Sequence, residues 1–554
     1  MKVFLKQPPV FWIILSLTAI LYITNFSINA IWTENESFYA ESVREMVEKG
    51  NFLDINFNYQ PRFNKPPLTY WLEATSTIFL GMNTFAIRLP IVILAFWTLL
   101  LVWSIARMLY DEKTALLAFA MQAVSIQFIA CKQYASPEIP LAFFFTLSLY
   151  FFLKGHFSSN SKYYILTAVA IGLTVLTKGY PYIIVIGGII ILYLWIESNF
   201  IWGKFLNSLN AIKPFTFITI ISIIGLSWVI MMYVQYGNNF LTVLNQETIG
   251  RALSNKTNGI KDLFYYPAII IWSFFPYSLL FFYACFHYLS SIRQIKNISF
   301  CFSWLFVMLI IFTTANGKLP TYFIQAYPAL AIISANFINI YKPKGKVSTI
   351  LWQLIFLLPA AFGIVLSILI IAIFKLSAFY HLIPASALLM IVIASCPFKF
   401  NTDLDSTRSV FQFLQPFIGT FSALLIFSIG VLPQLEEHRL IDRIGTVINS
   451  KYQIPKHVPL YLQDHLIHNL PFYAERKVIS ESNPLKVLQK ETPVLALFQS
   501  INVPDSIHSS IIWKGFLYQR KPDESDFLLF LESYLKAKEG NMSGFTNYSL
   551  IYKK

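Results

Sequence analysis

The chain has 554 residues, of which 56% are hydrophobic, 17% aromatic and only 13% charged. Soluble domains carry about 25% charged residues, so this composition excludes an ordinary soluble globular protein. The formal net charge of +14 does not make the chain a nucleic-acid binder, because no zinc-finger or RNA-binding motif accompanies it and the basic residues gather in short loops between apolar runs.

In chain order the first element is the apolar run 9–31, which begins "PVFWIILSLTAILYITNFSI". It is long enough to cross roughly 30 Å of hydrocarbon as a helix. No small-residue cleavage pattern follows, so it reads as a retained span and not as a signal peptide. Further apolar runs occupy 84–110, 113–132, 139–154, 161–177, 180–198, 213–237, 264–287, 298–315, 321–341, 347–374, 378–397 and 409–432. That predicts about thirteen spans, all helical, because an open sheet leaves unpaired backbone groups in lipid. With Lys2 and Lys6 in the cytoplasm, the inner loops carry Arg107 and Lys113, Lys154 and Lys162, Lys204 and Lys213, Arg293 and Lys296, Lys342, Lys344 and Lys346, and Lys399 and Arg408. The outer loops carry single cations, Lys132, Lys178, Lys318 and Lys375, as the positive-inside rule requires. An odd span number places residues 32–83 and the C-terminal tail outside. The expected organisation is a membrane domain over 1–432, with 32–83 as its first outer loop, and a separate domain over 433–554.

The outer loop opens with "WTENESFYAESVREMVEKG" at 32–50. Thr33 and Glu36 have capping-box spacing, Asn35 is an alternative N-cap, and Gly50 suits a C-terminal cap, so a helix is expected between them. Phe38, Ser42, Val43, Met46 and Val47 share one face; Glu41, Arg44, Glu45, Glu48 and Lys49 mark another. This predicts an interfacial helix with its apolar side on the bilayer and most of its charges solvated. The segment "QPRFNKPPLTYWLEATSTIFLG" (60–81) follows. Pro66 and Pro67 force an extended stretch and then start a helix. Lys65 is held just before them, among Phe63, Tyr70 and Trp71, at headgroup depth, where a lysine can meet a lipid phosphate as a point charge.

The cysteines Cys131, Cys285, Cys301 and Cys396 fall in or beside spans and read as small buried hydrophobes, with no disulfide framework. From about 433 the chain turns polar and mixed. "PVLALF" and "SSIIWKGFLYQ" look like strands and "SDFLLFLESYLKAKEG" like a helix ended by glycine, so 433–554 is expected to be a small mixed α/β domain outside the membrane. His438, His457, His465 and His468 lack ligand spacing and read as scattered surface residues. No metal site is indicated.

The motifs "NESFYAESVREM…GNF…PRFNKPPLTYW…AIRLP" resemble the first outer loop of the polyprenyl-phosphate-dependent GT-C glycosyltransferases. The likeness is greatest to the aminoarabinose lipid A transferase group, with the protein O-mannosyltransferases more distant. "YASPEIPLAFF" (134–144), "LTKGYP" (176–181), "QETIGRAL" (246–253) and "TTANGKLPTYFIQAYPALA" (313–331) resemble further family elements in the same order. The resemblance covers roughly residues 30–335. It implies an all-α polytopic membrane protein of GT-C type in the inner membrane, working at the periplasmic face, as a monomer. It also implies a reaction. A sugar on an undecaprenyl-type phosphate passes to a lipid A-like glycolipid, another envelope acceptor or a protein, as the lipid phosphate leaves. That donor is a substrate; no cofactor is implied.

Such chemistry needs an aligner or base for the acceptor and cations for the departing phosphate. By resemblance, Lys65, Arg251, Lys318 and Lys178 supply the cations, and Tyr39 and Tyr322 hydrogen-bond phosphate oxygens. The acceptor side departs from the family pattern. The expected leading Asp is Asn35, the acid before Lys-Pro-Pro is Asn64, and the Asp before Pro-Leu is Glu138. An amide orients a hydroxyl but does not accept a proton as a carboxylate does. Either Glu34 or Glu36 has taken over as base, with Glu36 in the family's acidic position, or the acceptor is already ionised, or the chain binds lipid without catalysis. A transporter fits less well, because the charges sit at span ends and no inverted repeat is visible.

Overall fold

The computed structural model describes residues 8–250, 260–290, 298–384, 413–463, 465–481, 483–489, 493–503, 510–518 and 526–553. The chain forms two compact units. The first comprises 1–26, 63–69 and 89–428; the second comprises 27–62, 70–88 and 429–554.

The first unit is built from apolar helices. Among the described residues, five helices are long and apolar enough to cross a membrane: Thr84–Leu109, Glu138–Ser158, Pro320–Ile340, Lys346–Ile373 and Gln415–His438. Two bent pairs, Glu112–Ala123 with Ile126–Lys132 (63°) and Trp202–Ala211 with Pro214–Gly225 (48°), raise the number to as many as seven. Pro9–Ile23, Pro181–Glu197, Ser278–Ser290 and Ser299–Thr314 are shorter apolar helices. Several expected runs are therefore broken helices. The run 264–287 divides into Tyr265–Ser273 and Ser278–Ser290 on either side of Pro276, which has no N–H to continue a helix. The run 378–397 lies outside the described residues from 385 onward, as do Cys396 and the basic loop at 291–297.

Polar groups inside this unit are used as anchors. Helix α1 (Pro9–Ile23) leaves carbonyls free in its last turn, and the buried Lys132 donates to Tyr22 O (3.1 Å) and Leu21 O (3.4 Å). Lys132 is thus a helix cap and not a free outer-loop cation. Elsewhere small residues bring backbones together. A Cβ on Gly363 would overlap the Gly419 carbonyl, and one on Gly419 would overlap the Ala360 carbonyl. Helices Lys346–Ile373 and Gln415–Ile426 therefore touch main chain to main chain, the small-residue packing that serves where lipid offers no hydrophobic drive.

The second unit contains helix α2 (Glu34–Lys49). Thr33 Oγ1 accepts from Glu36 N at 3.1 Å and Gly50 closes the helix at φ 65°, so both expected ends hold. The expected solvated face does not. Glu36, Glu41 and Glu45 are fully buried and Arg44 nearly so. The reason is the short hairpin β1 (Asn56–Phe57) and β2 (Gln60–Pro61), whose Tyr59 turns its N–H to Glu45 at 2.7 Å and its ring to Arg44 and Lys49. The helix charges neutralise one another: Arg44 bridges Glu41 and Glu48, each at 2.7 Å, and Lys49 meets Glu45 at 2.8 Å.

The C-terminal part of the same unit is a five-stranded sheet in the order β4-β3-β5-β7-β6, formed by β3 (Leu460–Leu462), β4 (Val478–Ser480), β5 (Val494–Gln499), β6 (Ile511–Leu517) and β7 (Thr546–Lys553). β3 runs parallel to β4 and β5, while β7 is antiparallel to β5 and β6. The continuous apolar run of β5 is buried on both faces, as a central strand requires. At the β4 edge, Asn58 accepts from Val478 N and donates to Val478 O, both at 2.8 Å.

Glu73, on helix α3 (Leu68–Leu80), is fully buried and neither carboxylate oxygen has a hydrogen-bond partner among the described residues. Burial, with the nearby charge of Glu36 adding to it, holds its carboxyl well above the usual carboxylate range. The folded chain therefore keeps this proton after the unfolded chain has lost it. Stability falls as pH rises from the ordinary carboxylate value, about 4.3, toward the raised one, by about 1.4 kcal/mol per pH unit.

Two outcomes follow from these packing features. Gly419→Leu should cost about 1–3 kcal/mol by overpacking, read as a lowered thermal midpoint of the detergent-solubilised protein; an unchanged midpoint would mean the two backbones do not touch. Glu73→Gln cannot ionise, so its midpoint relative to the parent should rise between pH 5 and pH 8; a difference that stays constant with pH would refute the trapped proton.

Candidate active site

In the first unit, the sequence motifs close into one polar network. Lys65 donates to Glu247 Oε2 at 3.0 Å and Asn64 donates to Glu247 Oε1 at 2.9 Å. The Lys-Pro-Pro segment is thereby tied to the Gln-Glu-Thr motif 182 residues away. Phe63 steadies it against Tyr236 and Phe240, with ring centroids at 4.7 and 5.7 Å. Glu247 stands in a single π-turn, Gln246–Gly250, a widened turn frequent at functional sites. The next residue in its motif is Thr248, whose Oγ1 meets Tyr180 Oη at 2.9 Å, joining the Leu-Thr-Lys-Gly motif.

That motif delivers Lys178 at the C-terminus of helix Ser161–Lys178. Its ammonium donates to Glu138 Oε1 at 3.1 Å, at the N-terminus of helix Glu138–Ser158, and lies 5.1 Å from the Tyr322 ring centroid. A cation at a helix C-terminus and an anion at a helix N-terminus each match the local dipole. Lys318 donates to Ala315 O at 2.7 Å and approaches Asp262 at 3.4 Å. Tyr266, four residues beyond Asp262, reaches Leu319 O at 3.5 Å and stacks on Phe323. Asn64, Lys65, Glu138, Lys178, Lys318 and Tyr322 thus lie in a chain of direct contacts and motif neighbours, and each of the three lysines has a carboxylate. A lysine has three donors, so it can hold its carboxylate and still reach an anion. Arg251 lies outside the described residues.

In the second unit, Glu34, Asn35, Glu36 and Tyr39 share the first turns of α2. Glu36 is fully buried and gripped by Arg88 through both oxygens, at 2.6 and 2.9 Å. The remaining Arg88 donors go to Asn29 O (2.7 Å) and Ala30 O (3.1 Å), and Glu36 Oε2 also accepts from Trp32 N at 3.3 Å. The capping box closes on the N–H before Thr33. Tyr39 is fully buried and stacks on Tyr70 with centroids 4.2 Å apart. Asn35 is half-buried and Glu34 is 42% exposed on its side chain, 3.5 Å from His468. The carboxylate that matches the family's acid is therefore the one most fully committed, while Glu34 and Asn35 keep access to solvent.

Sequence reasoning missed Arg88, Glu247, Asp262 and Glu73. Arg88 had a signal, since a lone charge inside an apolar run is expected to have a partner. Glu247 was visible as the acid four residues before Arg251. Asp262 and Glu73 carried no local signal.

The family model described as dolichyl-phosphate-mannose-protein mannosyltransferase matches residues 10–242. An uncharacterised protein of Aquifex aeolicus (strain VF5) is 33% identical over 481 residues, 86% of this chain and 89% of its own length. The undecaprenyl phosphate-alpha-4-amino-4-deoxy-L-arabinose arabinosyl transferase of Wigglesworthia glossinidia brevipalpis is 25% identical over 349 residues, 60% of this chain. The match spans about three fifths of that relative, 59% of its length. The crystal structure of ArnT from Cupriavidus metallidurans bound to undecaprenyl phosphate has the same fold, with a TM-score of 0.71 at 18% identity, covering 89% of this chain and 94% of that one. With its ordered motifs, its matching family model and this shared fold, the chain belongs to the GT-C glycosyltransferases of the family-39 type.

Proposed function

We propose that the chain is an inner-membrane glycosyltransferase that moves a sugar from an undecaprenyl-type phosphate to a glycolipid or another envelope acceptor at the periplasmic face. The observation that carries this reading is the joining of separate sequence motifs through Lys65, Lys178 and Lys318, each beside a carboxylate and none more than one-fifth exposed. Such half-dry cations suit a departing lipid phosphate, whose charge grows as the glycosidic bond breaks. Tyr322, whose ring lies under Lys178, donates a hydrogen bond to the same group in this reading. Thirteen spans, with the tail outside, complete the proposed topology. The relatives named undecaprenyl phosphate-alpha-4-amino-4-deoxy-L-arabinose arabinosyl transferases support a polyprenyl-phosphate donor.

On the acceptor side, Glu36 is a positioning residue. Both its oxygens are held by the Arg88 guanidinium, and that pairing fixes the first turn of α2. Asn35 then orients the acceptor and Glu34 is the accessible carboxylate beside it. An acceptor phosphate needs no base at all, which suits the amides at Asn35 and Asn64. Those amides are also what a lipid binder without transfer would carry. Mass spectrometry of lipid A and envelope glycans with and without the gene separates the two readings: no glycan difference under any condition favours silent binding.

Lys65→Ala and Lys318→Ala should each lower transfer in membranes tenfold or more, since a charge-assisted contact is worth about 1.5–3 kcal/mol; unaltered transfer in both would overturn the phosphate site. Glu36→Gln leaves Arg88 buried without its ion pair and should destabilise the protein by about 3–5 kcal/mol, whereas Glu34→Gln should melt normally and transfer more slowly. A Glu36→Gln protein that melts normally and yet loses about a hundredfold in rate would instead make Glu36 the general base.

A further inference from the structure

Three of the eight histidines, His438, His465 and His468, line a single cavity of about 280 Å³ within the second unit. Their spacing in sequence showed no pattern, yet the fold brings them to one cavity with Arg439 and Glu34. Trp32 and Tyr518, stacked with centroids 5.7 Å apart, form an aromatic wall. The volume sits at the lower end of small-molecule sites, roughly 300–1,000 Å³, which suits one ring and not a whole glycolipid. Among the described residues no three His, Cys, Asp or Glu side chains converge closely enough to hold a metal ion.

Arg439 is the telling residue. It is 92% buried, with its guanidinium carbon 3.9 Å from the Trp32 ring centroid and 4.4 Å from that of Phe530. Its polar edge is poorly supplied. Nη1 reaches Glu436 only at 3.4 Å, and Nε is buried with no hydrogen-bond partner among the described residues. Glu436 is itself engaged by Asn29 Nδ2 at 2.7 Å and Ala30 N at 3.1 Å. Burial pulls the guanidinium down to about 10, so it remains charged at neutral pH. A cation with five donors, withdrawn from water and given one long contact, is costly unless an anion completes it.

We infer that this cavity binds a saccharide unit carrying an anionic group, phosphate or carboxylate. Arg439 and the histidine cluster face the anion, the aromatic wall faces the apolar side of the ring, and Glu34 accepts from a sugar hydroxyl. Glu34 and Asn35 open α2, so this is also the seat from which an acceptor sugar reaches Asn35. That use rests on the transferase reading, while binding itself does not.

Calorimetric titration of the full-length protein in detergent with glucose 6-phosphate, glucuronic acid and glucose tests it. One site is expected for each anionic sugar, with glucose at least about tenfold weaker. Arg439→Gln should weaken both anionic sugars about ten- to a hundredfold, the size of a lost charge-assisted hydrogen bond, with little change for glucose. Because a buried arginine also supports folding, His465→Ala and His468→Ala, at more exposed positions, are titrated beside it and should each lower anionic-sugar affinity severalfold. No binding of either anionic sugar at millimolar concentration, equal affinity for all three sugars, or parental affinity in both histidine variants would overturn the site. Binding that persists in a protein whose gene leaves no mark on any envelope glycan would keep the site and remove the transferase reading.

Discussion

Glu36 and Arg88 meet through two hydrogen bonds at a point that neither shares with solvent. Such a pair adds little net stability against an apolar alternative, but breaking it leaves a bare charge indoors, so whatever arrangement keeps it intact is strongly enforced. Here that arrangement includes the carbonyls of Asn29 and Ala30, the N–H of Trp32, and the first turn of α2. The stretch 29–32 is held from other sides as well: Asn29 reaches Glu436, Ile31 N donates to Tyr473, and Asn469 donates to Ile31 O. The positions of Asn35, Glu34 and Trp32, and with them the wall of the anionic-sugar cavity, depend on this one bolt.

The first unit follows the same rule with lysines. A membrane chain carries few charges, and a buried one must be met by an opposite charge or by polar groups. Glu247, Glu138 and Asp262 keep Lys65, Lys178 and Lys318 in defined directions, which in the proposed reaction is done before any phosphate arrives. Preorganisation of this kind removes part of the ordering cost of binding, and it makes the carboxylates competitors that a leaving group of higher charge displaces more readily than one of lower charge. The amide at Asn64 fits that design, since it shares Glu247 with Lys65 without adding a further negative charge.

Local features were legible in the sequence. Thr33 and Gly50 mark the ends of α2 because caps act within one turn, and the β5 and β6 runs read as strands because their composition differs from the helices before them. The family motifs were legible because each is a short string. Long-range partners were not. Nothing near Glu36 announces Arg88, and nothing in "QETIG" says that its acid reaches back 182 residues to Lys65. The burial of α2 was misread because the covering hairpin owes its effect to the main chain of Tyr59, which no hydrophobic periodicity records. The cavity was invisible for a similar reason: its walls come from residues 30–34, 438–441, 465–469 and 517–518, and its histidines look unrelated until the sheet is folded.

The amide of Asn58 has a role beyond tying the hairpin down. β4 is an outer strand of the five-stranded sheet, and an outer strand offers unpaired main-chain groups to any passing strand. By giving Val478 both a donor and an acceptor, Asn58 acts as a one-residue substitute strand at that edge. A blocked edge removes a route to sheet-to-sheet aggregation between copies of the protein. The hairpin that buries the charges of α2 therefore also guards the edge of a sheet more than 400 residues further along the chain.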